Sequence, residues 1–396
     1  MDARPFVPTL PEPFRTSGVT LAQVGTRRGQ LAPSRSIAGR AIRPEAGFDA
    51  LASRRERLIR YSAEASLRRG LVNPLQRILV PLDGSLVAES ILPHVQYLAR
   101  TFEASVRLVH VLEKGRAGGV TRDSVEWRLH RAEATAYLDR VSEGLRARGP
   151  PVETAVVDGK AAQEILEMAR RWEADLVALS SHGHGGLDDF SLGSTAHKII
   201  SRAATSVLLA RADPPAAGDL GTVGYQEVIA PVDCSQQSDW VLSIAARIAL
   251  GGGGELLMLH VVSVPQYAER ASGDFVGRVY RTRLIDAARE AATGYLAGME
   301  EKLGSPGLRV RSRLIESPQI AQALTRSVGR VEDSLMVVSA HGASGPSPWP
   351  YGAVAGHLIQ HGPLPLLVLQ DVQRAELEDE ESVASQAGTR RLPWNG

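Results

Sequence analysis

A single cysteine, Cys234, stands in 396 residues. That scarcity excludes an intrachain disulfide and any metal cage built from cysteines, and it fits a reducing cytoplasm. No apolar run reaches the roughly 18 residues that a membrane span needs, so no membrane partner is expected. The N-terminus also lacks the short apolar segment of a secretory signal. A Walker loop is missing, because no Gly-Lys-Ser/Thr occurs. No first strand is followed by Gly-x-Gly-x-x-Gly, which argues against a flavin or nicotinamide site. No nucleophile stands with an orienting base, so no catalytic residue is nominated.

What remains is ordinary for a globular chain: 43% hydrophobic and 22% charged residues with a net charge of +1. That balance gives no reason to expect a nucleic-acid protein as a whole. Residues 1–72 are rich in arginine and proline and contain no lysine. They carry too little apolar surface to offset the entropy of ordering, and read as a disordered basic extension with one candidate helix at 48–69. Nucleic acid, acidic lipid or a protein partner would meet the chain here if anywhere; a solvated tail is the plainer reading. Residues 372–396 read as an acidic disordered tail.

Regular structure is expected from Leu75 onward. Apolar strands at 77–82, 105–112, 152–157, 175–180 and 206–210 alternate with helices at 86–101, 124–148, 161–172 and 195–204. Such alternation predicts a parallel sheet covered by helices on both faces. The stretch 180–195, Ser-Ser-His-Gly-His-Gly-Gly-Leu-Asp-Asp-Phe-Ser-Leu-Gly-Ser-Thr, joins the fourth strand to a helix. Glycines and hydroxyls at a helix start suit an anion, because free N–H groups and the helix dipole both favour negative charge. Asp188 and Asp189 in this loop could face a Mg²⁺ on bound phosphates, although a solvated loop is the plainer reading. His182 and His184 flank Gly183, but two histidines without acidic partners make a poor metal site.

After a linker at 213–225 the pattern returns. Glu227-Val-Ile-Ala-Pro-Val-Asp-Cys-Ser235 repeats Arg77-Ile-Leu-Val-Pro-Leu-Asp-Gly-Ser85 at an offset of 150 positions. Met258-Leu-His-Val-Val262 repeats Leu108-Val-His-Val-Leu112 at the same offset, and Ser339-Ala-His-Gly342 repeats Ser180-Ser-His-Gly183 at 159. Two homologous domains in tandem, 73–212 and 226–371, follow.

Three separated motifs, in order and twice over, carry a resemblance to the universal stress protein family. The resemblance implies two Rossmann-like α/β domains of the adenine nucleotide alpha hydrolase-like type. Each would be a five-stranded parallel sheet of order 3-2-1-4-5 with ATP, with or without Mg²⁺, at the carboxyl ends of the strands. The family loop, Gly-x2-Gly-x9-Gly-Ser/Thr, is matched here by Ser180 in place of the first glycine and by Gly183, Gly193 and Ser194. Carried over by position, Pro81, Asp83 and Val111 would meet adenine and ribose. Ser180 would stand beside the ribose or phosphates, and Gly183, Gly193, Ser194 and Thr195 would hold the phosphates. Without the resemblance, Asp83 reads as a turn or cap carboxylate. The second repeat keeps Pro231, Asp233, Val261, Gly342 and Gly352, a weaker site. Ser339 stands for the first glycine, Ala353 for the hydroxyl, and Pro346, Pro348 and Pro350 remove N–H donors. The resemblance further implies an internal pseudo-dimer through the last strands, Val207-Leu-Leu-Ala210 against Leu366-Leu-Val-Leu369, and leaves a further homodimer open. The functional expectation is an ATP-binding stress-response regulator, with slow Mg²⁺-dependent ATP hydrolysis or a nucleotide-free scaffold as alternatives.

Overall fold

The first repeat runs β1 (Arg77–Pro81), α1 (Leu86–Glu89), α2 (Leu92–Phe102), β2 (Ser105–Leu112) and α3 (Val125–Arg146). It continues with β3 (Val152–Asp158), α4 (Ala161–Arg171), β4 (Leu176–Ser180), α5 (Ser194–Ile200) and β5 (Ser206–Ala210). The second runs β6 (Glu227–Val232), α6 (Gln236–Gly252), β7 (Glu255–Ser263), α7 (Phe275–Leu303) and β8 (Arg309–Ser317). It closes with α8 (Ile320–Ser327), β9 (Ser334–Ser339), α9 (Ala353–His361) and β10 (Leu366–Leu369). The computed structural model describes residues 75–113, 125–182, 192–211, 223–264, 275–328, 333–342 and 350–370. All of these lie in one compact unit, Arg55–Gly396. The expected basic extension with its 48–69 helix, most of the linker and the acidic tail lie outside the described residues.

The expected helix at 86–101 is two helices. Pro93 is the cause: it has no N–H to give and its ring collides with the carbonyl four residues back, so it is tolerated only in a helix's first turn. The chain therefore breaks at Ser90 and Ile91 and restarts with Pro93 in the first turn of α2. Ser85 caps α1 by accepting from the Ala88 N–H at 3.1 Å, and Ser235 caps α6 in the same way through Ser238 at 3.3 Å.

The strands form one ten-stranded sheet in the order β3-β2-β1-β4-β5-β10-β9-β6-β7-β8. Each half is the expected 3-2-1-4-5 order, parallel throughout. The halves meet where β5 pairs antiparallel with β10, setting Leu208 opposite Leu367. At the 159-residue offset of the later motifs these two leucines are equivalent positions, so the pairing is symmetric about them. Every residue of β4, β5 and β10 is buried. Alternate side chains feed two apolar layers, one under α2, α3, α6 and α7, the other under α4, α5, α8 and α9. Arg211 fastens the junction by donating to the Leu358 and Ile359 carbonyls near the end of α9, at 3.0 and 2.9 Å.

Among the described residues Glu103, Glu173, Cys234 and Asp333 hold left-handed backbone, and Glu103 has a glycine at the equivalent place in the other repeat. Helix α2 ends on Glu103 with φ +53°, where the equivalent end of α6 has Gly253 at φ +66°. The left-handed region costs a residue with a Cβ on the order of 1 kcal/mol and a glycine almost nothing. Glu103→Gly should therefore raise stability by about 0.5–1 kcal/mol, read as a higher midpoint in urea; an unchanged or lower midpoint contradicts it.

Candidate functional site

In open parallel sheets of this order, ligands sit beyond the carboxyl ends of the strands, where the winding reverses beside β1. In the first repeat that point lies between β1 and β4. Pro81 ends β1, and the Leu82 N–H donates to Val109 O at 2.9 Å, holding the outgoing chain against β2. Asp83 follows, half-buried. Its Oδ1 accepts from the Ser85 N–H at 3.0 Å and the Ser85 hydroxyl at 2.6 Å, across Gly84 at φ +86°. Asp83 is thus a turn carboxylate at the mouth of the switch point, consistent with both readings of it. Val111, near the end of β2, is half-buried two residues beyond Val109, the register partner of Pro81.

The loop end is pinned from both sides. The Ser181 N–H donates to Ala210 O and the Gly193 N–H donates to Ser181 O, each at 2.8 Å. The second repeat makes the same pair, Ala340 N–H to Leu369 O and Gly352 N–H to Ala340 O, at the same 2.8 Å. The Gly193 amide therefore closes the base of the loop. At the start of α5 the orphan first-turn donors include the amides of Ser194 and Thr195, both exposed residues. Ser180 is 7% exposed, and its hydroxyl meets that of Ser90 at 3.3 Å, so its side chain packs inward between β4 and the α1–α2 break. His182 shares its Nδ1 with the Ser181 hydroxyl at 3.1 Å, while its Nε2 is buried without a partner among the described residues. Gly183, His184, Asp188 and Asp189 lie outside the described residues, as do Pro346, Pro348 and Trp349 of the second loop.

The second repeat arranges the same positions differently. Pro231 and Val261 keep their places on β6 and β7. Asp233 Oδ1 accepts from the Ser235 N–H at 3.1 Å and from the Ser238 hydroxyl at 2.8 Å. The other oxygen, Oδ2, lies directly over Gly342, where a Cβ would collide with it. The first repeat has Ala88 at the position of Ser238, and its aspartate takes the Ser85 hydroxyl instead. Gly352 starts α9 ahead of Ala353, which brings no hydroxyl. Cys234 takes the place of Gly84 at φ +61°, with its thiol 3.6 Å from His260 Nδ1. Burial, followed by the carboxylates of Asp233 and Asp239, pushes that thiol's pKa up and lowers its nucleophilicity. Among the described residues no cluster of three or more His, Cys, Asp or Glu could hold a metal ion.

Two tyrosines belong to this region and were not nominated above. Tyr295 on α7 donates to Asp239 Oδ1 at 2.7 Å. Tyr137 on α3 stands correspondingly beside Glu89; burial raises its pKa most, and the carboxylates of Glu89 and Asp83 raise it further. The signal was in the sequence: Ala134-Thr-Ala-Tyr-Leu138 recurs as Ala292-Thr-Gly-Tyr-Leu296 at an offset of 158. Arg131–Asp158 and Arg289–Glu316, both 2.7 Å ion pairs, recur at that offset as well. In each repeat the long helix is therefore tied to the first helix and to the end of the third strand.

Comparison with known proteins fits this geometry. The sequence profile of the universal stress protein family matches residues 74–211 and again 224–370. The chain is 28% identical over 157 residues to universal stress protein MJ0531 of Methanocaldococcus jannaschii, covering 39% of this chain and 92% of that protein. It is 24% identical over 303 residues to a universal stress protein of Mycolicibacterium smegmatis, covering 74% of this chain and 96% of that one. A putative universal stress protein from Pseudomonas aeruginosa shares the fold, with a TM-score of 0.56 at 17% identity over 78% of this chain and 99% of that chain. No helix among the described residues is long and apolar enough to cross a membrane. With two matches that together span most of its length, the chain belongs to the universal stress protein family and carries that family's domain twice.

Proposed function

We propose that the first repeat binds an adenine nucleotide, ATP, and that the second repeat is its degenerate structural partner. The observation that carries this is the difference between the two helix starts that follow the loops. In the first, the exposed Ser194 and Thr195 bring two hydroxyls to the start of α5, at the end of the sheet where Asp83 follows β1. Adenine and ribose would take the side of Pro81, Asp83 and Val111, and the phosphates would lie at the start of α5. In the second, Ala353 and Val354 stand at those two places and bring no hydroxyl to the start of α9. Any Mg²⁺ would arrive with the phosphates, which supply most of its ligands in sites of that kind.

The symmetric β5–β10 pairing supports reading the molecule as an internal pseudo-dimer, with one working and one structural half. Bound nucleotide would act by shifting the population of a conformation that a partner recognises. Calorimetric titration with MgATP tests the proposal: a single binding event per chain is expected. Two equal events, or none, overturn it.

A further inference from the structure

We infer that the seam between the two repeats is an acid-releasable latch, formed by His94 of the first repeat against Tyr225 of the second. Tyr225 enters just ahead of β6 and is fully buried. Its position is equivalent to Leu75, which is also fully buried, but the tyrosine extends across the seam. Its hydroxyl meets His94 Nδ1 at 2.7 Å, with the two rings stacked 5.9 Å apart. Tyr97, one turn along α2, stands edge-on to Tyr225 at 4.8 Å and donates to the Ile248 carbonyl of α6. Arg247, at the position in α6 equivalent to Tyr97, returns the contact by donating to the Thr101 carbonyl at 2.9 Å. The fit is close: a Cβ on Gly252 would lie 2.8 Å from the Tyr97 hydroxyl and 2.9 Å from the Tyr225 carbonyl.

This arrangement accepts a neutral imidazole and opposes an imidazolium. A neutral ring offers one donor and one acceptor, so Nδ1 and the phenol satisfy each other. Protonation makes Nδ1 a donor only, leaves the phenol proton without an acceptor among the described residues, and places a charge against a fully buried ring. The charged groups on the packed elements do not compensate. Arg100 and Glu103 on α2 are exposed, and Arg247 lies over the Phe102 ring. Arg148 donates to Gln96, while Asp239 on α6 accepts from Tyr295 and pairs with Lys302. His94 is half-buried, and desolvation of its ring lowers its pKa from 6.5 to about 4.

The sign follows from linkage. A base whose pKa is depressed in the closed state favours closure fully above 6.5, and that preference is lost as pH falls from 6.5 toward 4. If His94 regains its ordinary pKa in the open seam, the closed-to-open ratio falls roughly 30-fold between pH 7.5 and 5. The latch is independent of the nucleotide reading, since neither residue borders the first-repeat crevice.

Amide hydrogen exchange on the full chain, corrected for the intrinsic pH dependence of exchange, tests it. Protection of α2 and α6 should fall about 30-fold from pH 7.5 to 5 in the wild type and at most about twofold in His94→Gln, which keeps an acceptor for the phenol without titrating. Equal falls in both proteins, or none in the wild type, overturn the latch. Should His94→Gln fail to fold, the imidazole resonance of His94 in the wild type decides: a midpoint near 4 supports the latch and one near 6.5 refutes it.

Discussion

Leu208→Asp should abolish cooperative folding of both repeats together. Leu208 is fully buried in β5, paired with Ala178 on one side and with Leu367, its equivalent in the other repeat, on the other. The substitution removes a core side chain, worth about 2–5 kcal/mol, and puts an unpaired carboxylate in its place at a further cost of several kcal/mol. Together these rival the roughly 5–15 kcal/mol that holds a typical domain folded. Leu208→Ala isolates the packing loss and should cost about 3 kcal/mol by urea titration. The comparison variant is Leu86→Asp, at a position 43% exposed on α1, which should stay within about 0.5 kcal/mol of wild type. Because the sheet runs continuously across the pair, loss at Leu208 should melt strands of both halves in one transition. A variant that loses the first repeat while the second stays folded would show that the halves are independent.

Asp83→Ala should weaken adenine nucleotide binding by roughly 10- to 100-fold, the range expected for losing hydrogen bonds to a charged group. Asp83 also holds its own turn through Ser85, so Asp83→Asn, which keeps the Oδ1 acceptor, separates the turn from the charge. Gly193→Val should be at least as damaging. Even a single Cβ there lies 3.3 Å from the Ser181 carbonyl, and a branched side chain must push the start of α5 away from the end of β4. Asp233→Ala should leave affinity unchanged, since Ala353 and Val354 bring no hydroxyl to the start of α9 beside it in the second repeat. Titration of the four variants with MgATP, alongside far-UV spectra to show that each is folded, reads all of this directly. The reverse pattern, with Asp233→Ala weakening binding and Asp83→Ala neutral, would move the site to the second repeat.

The strands were legible because each is a short apolar run between turn residues, and both five-strand orders followed from the family resemblance. Reading the helix at 86–101 as unbroken gave weight to the spacing of Val87, Ile91, Val95 and Leu98 and too little to Pro93, whose missing N–H divides it. The site was legible only where its chemistry is local. Asp83, Gly84 and Ser85 form a turn within three residues, and their side-chain contacts follow from sequence alone. The contact of Asp233 with Gly342 joins positions more than a hundred residues apart and depends on β6 and β9 lying side by side. The inward turn of Ser180 depends on Ser90, which the break at Pro93 brings to it. Tyr137 and Tyr295 escaped notice because the repeat offset changes between the second strand and the long helix. The Tyr225 contact with His94 is absent from any internal repeat, since Leu75 occupies the equivalent place.

The central claim is one nucleotide site, in the first repeat. Its most direct test is the nucleotide content of freshly purified protein, released by denaturation and quantified in the supernatant. A single adenine nucleotide per chain, lost in Asp83→Ala and retained in Asp233→Ala, is the predicted result. Two per chain, or none together with no binding on addition of MgATP, would contradict it.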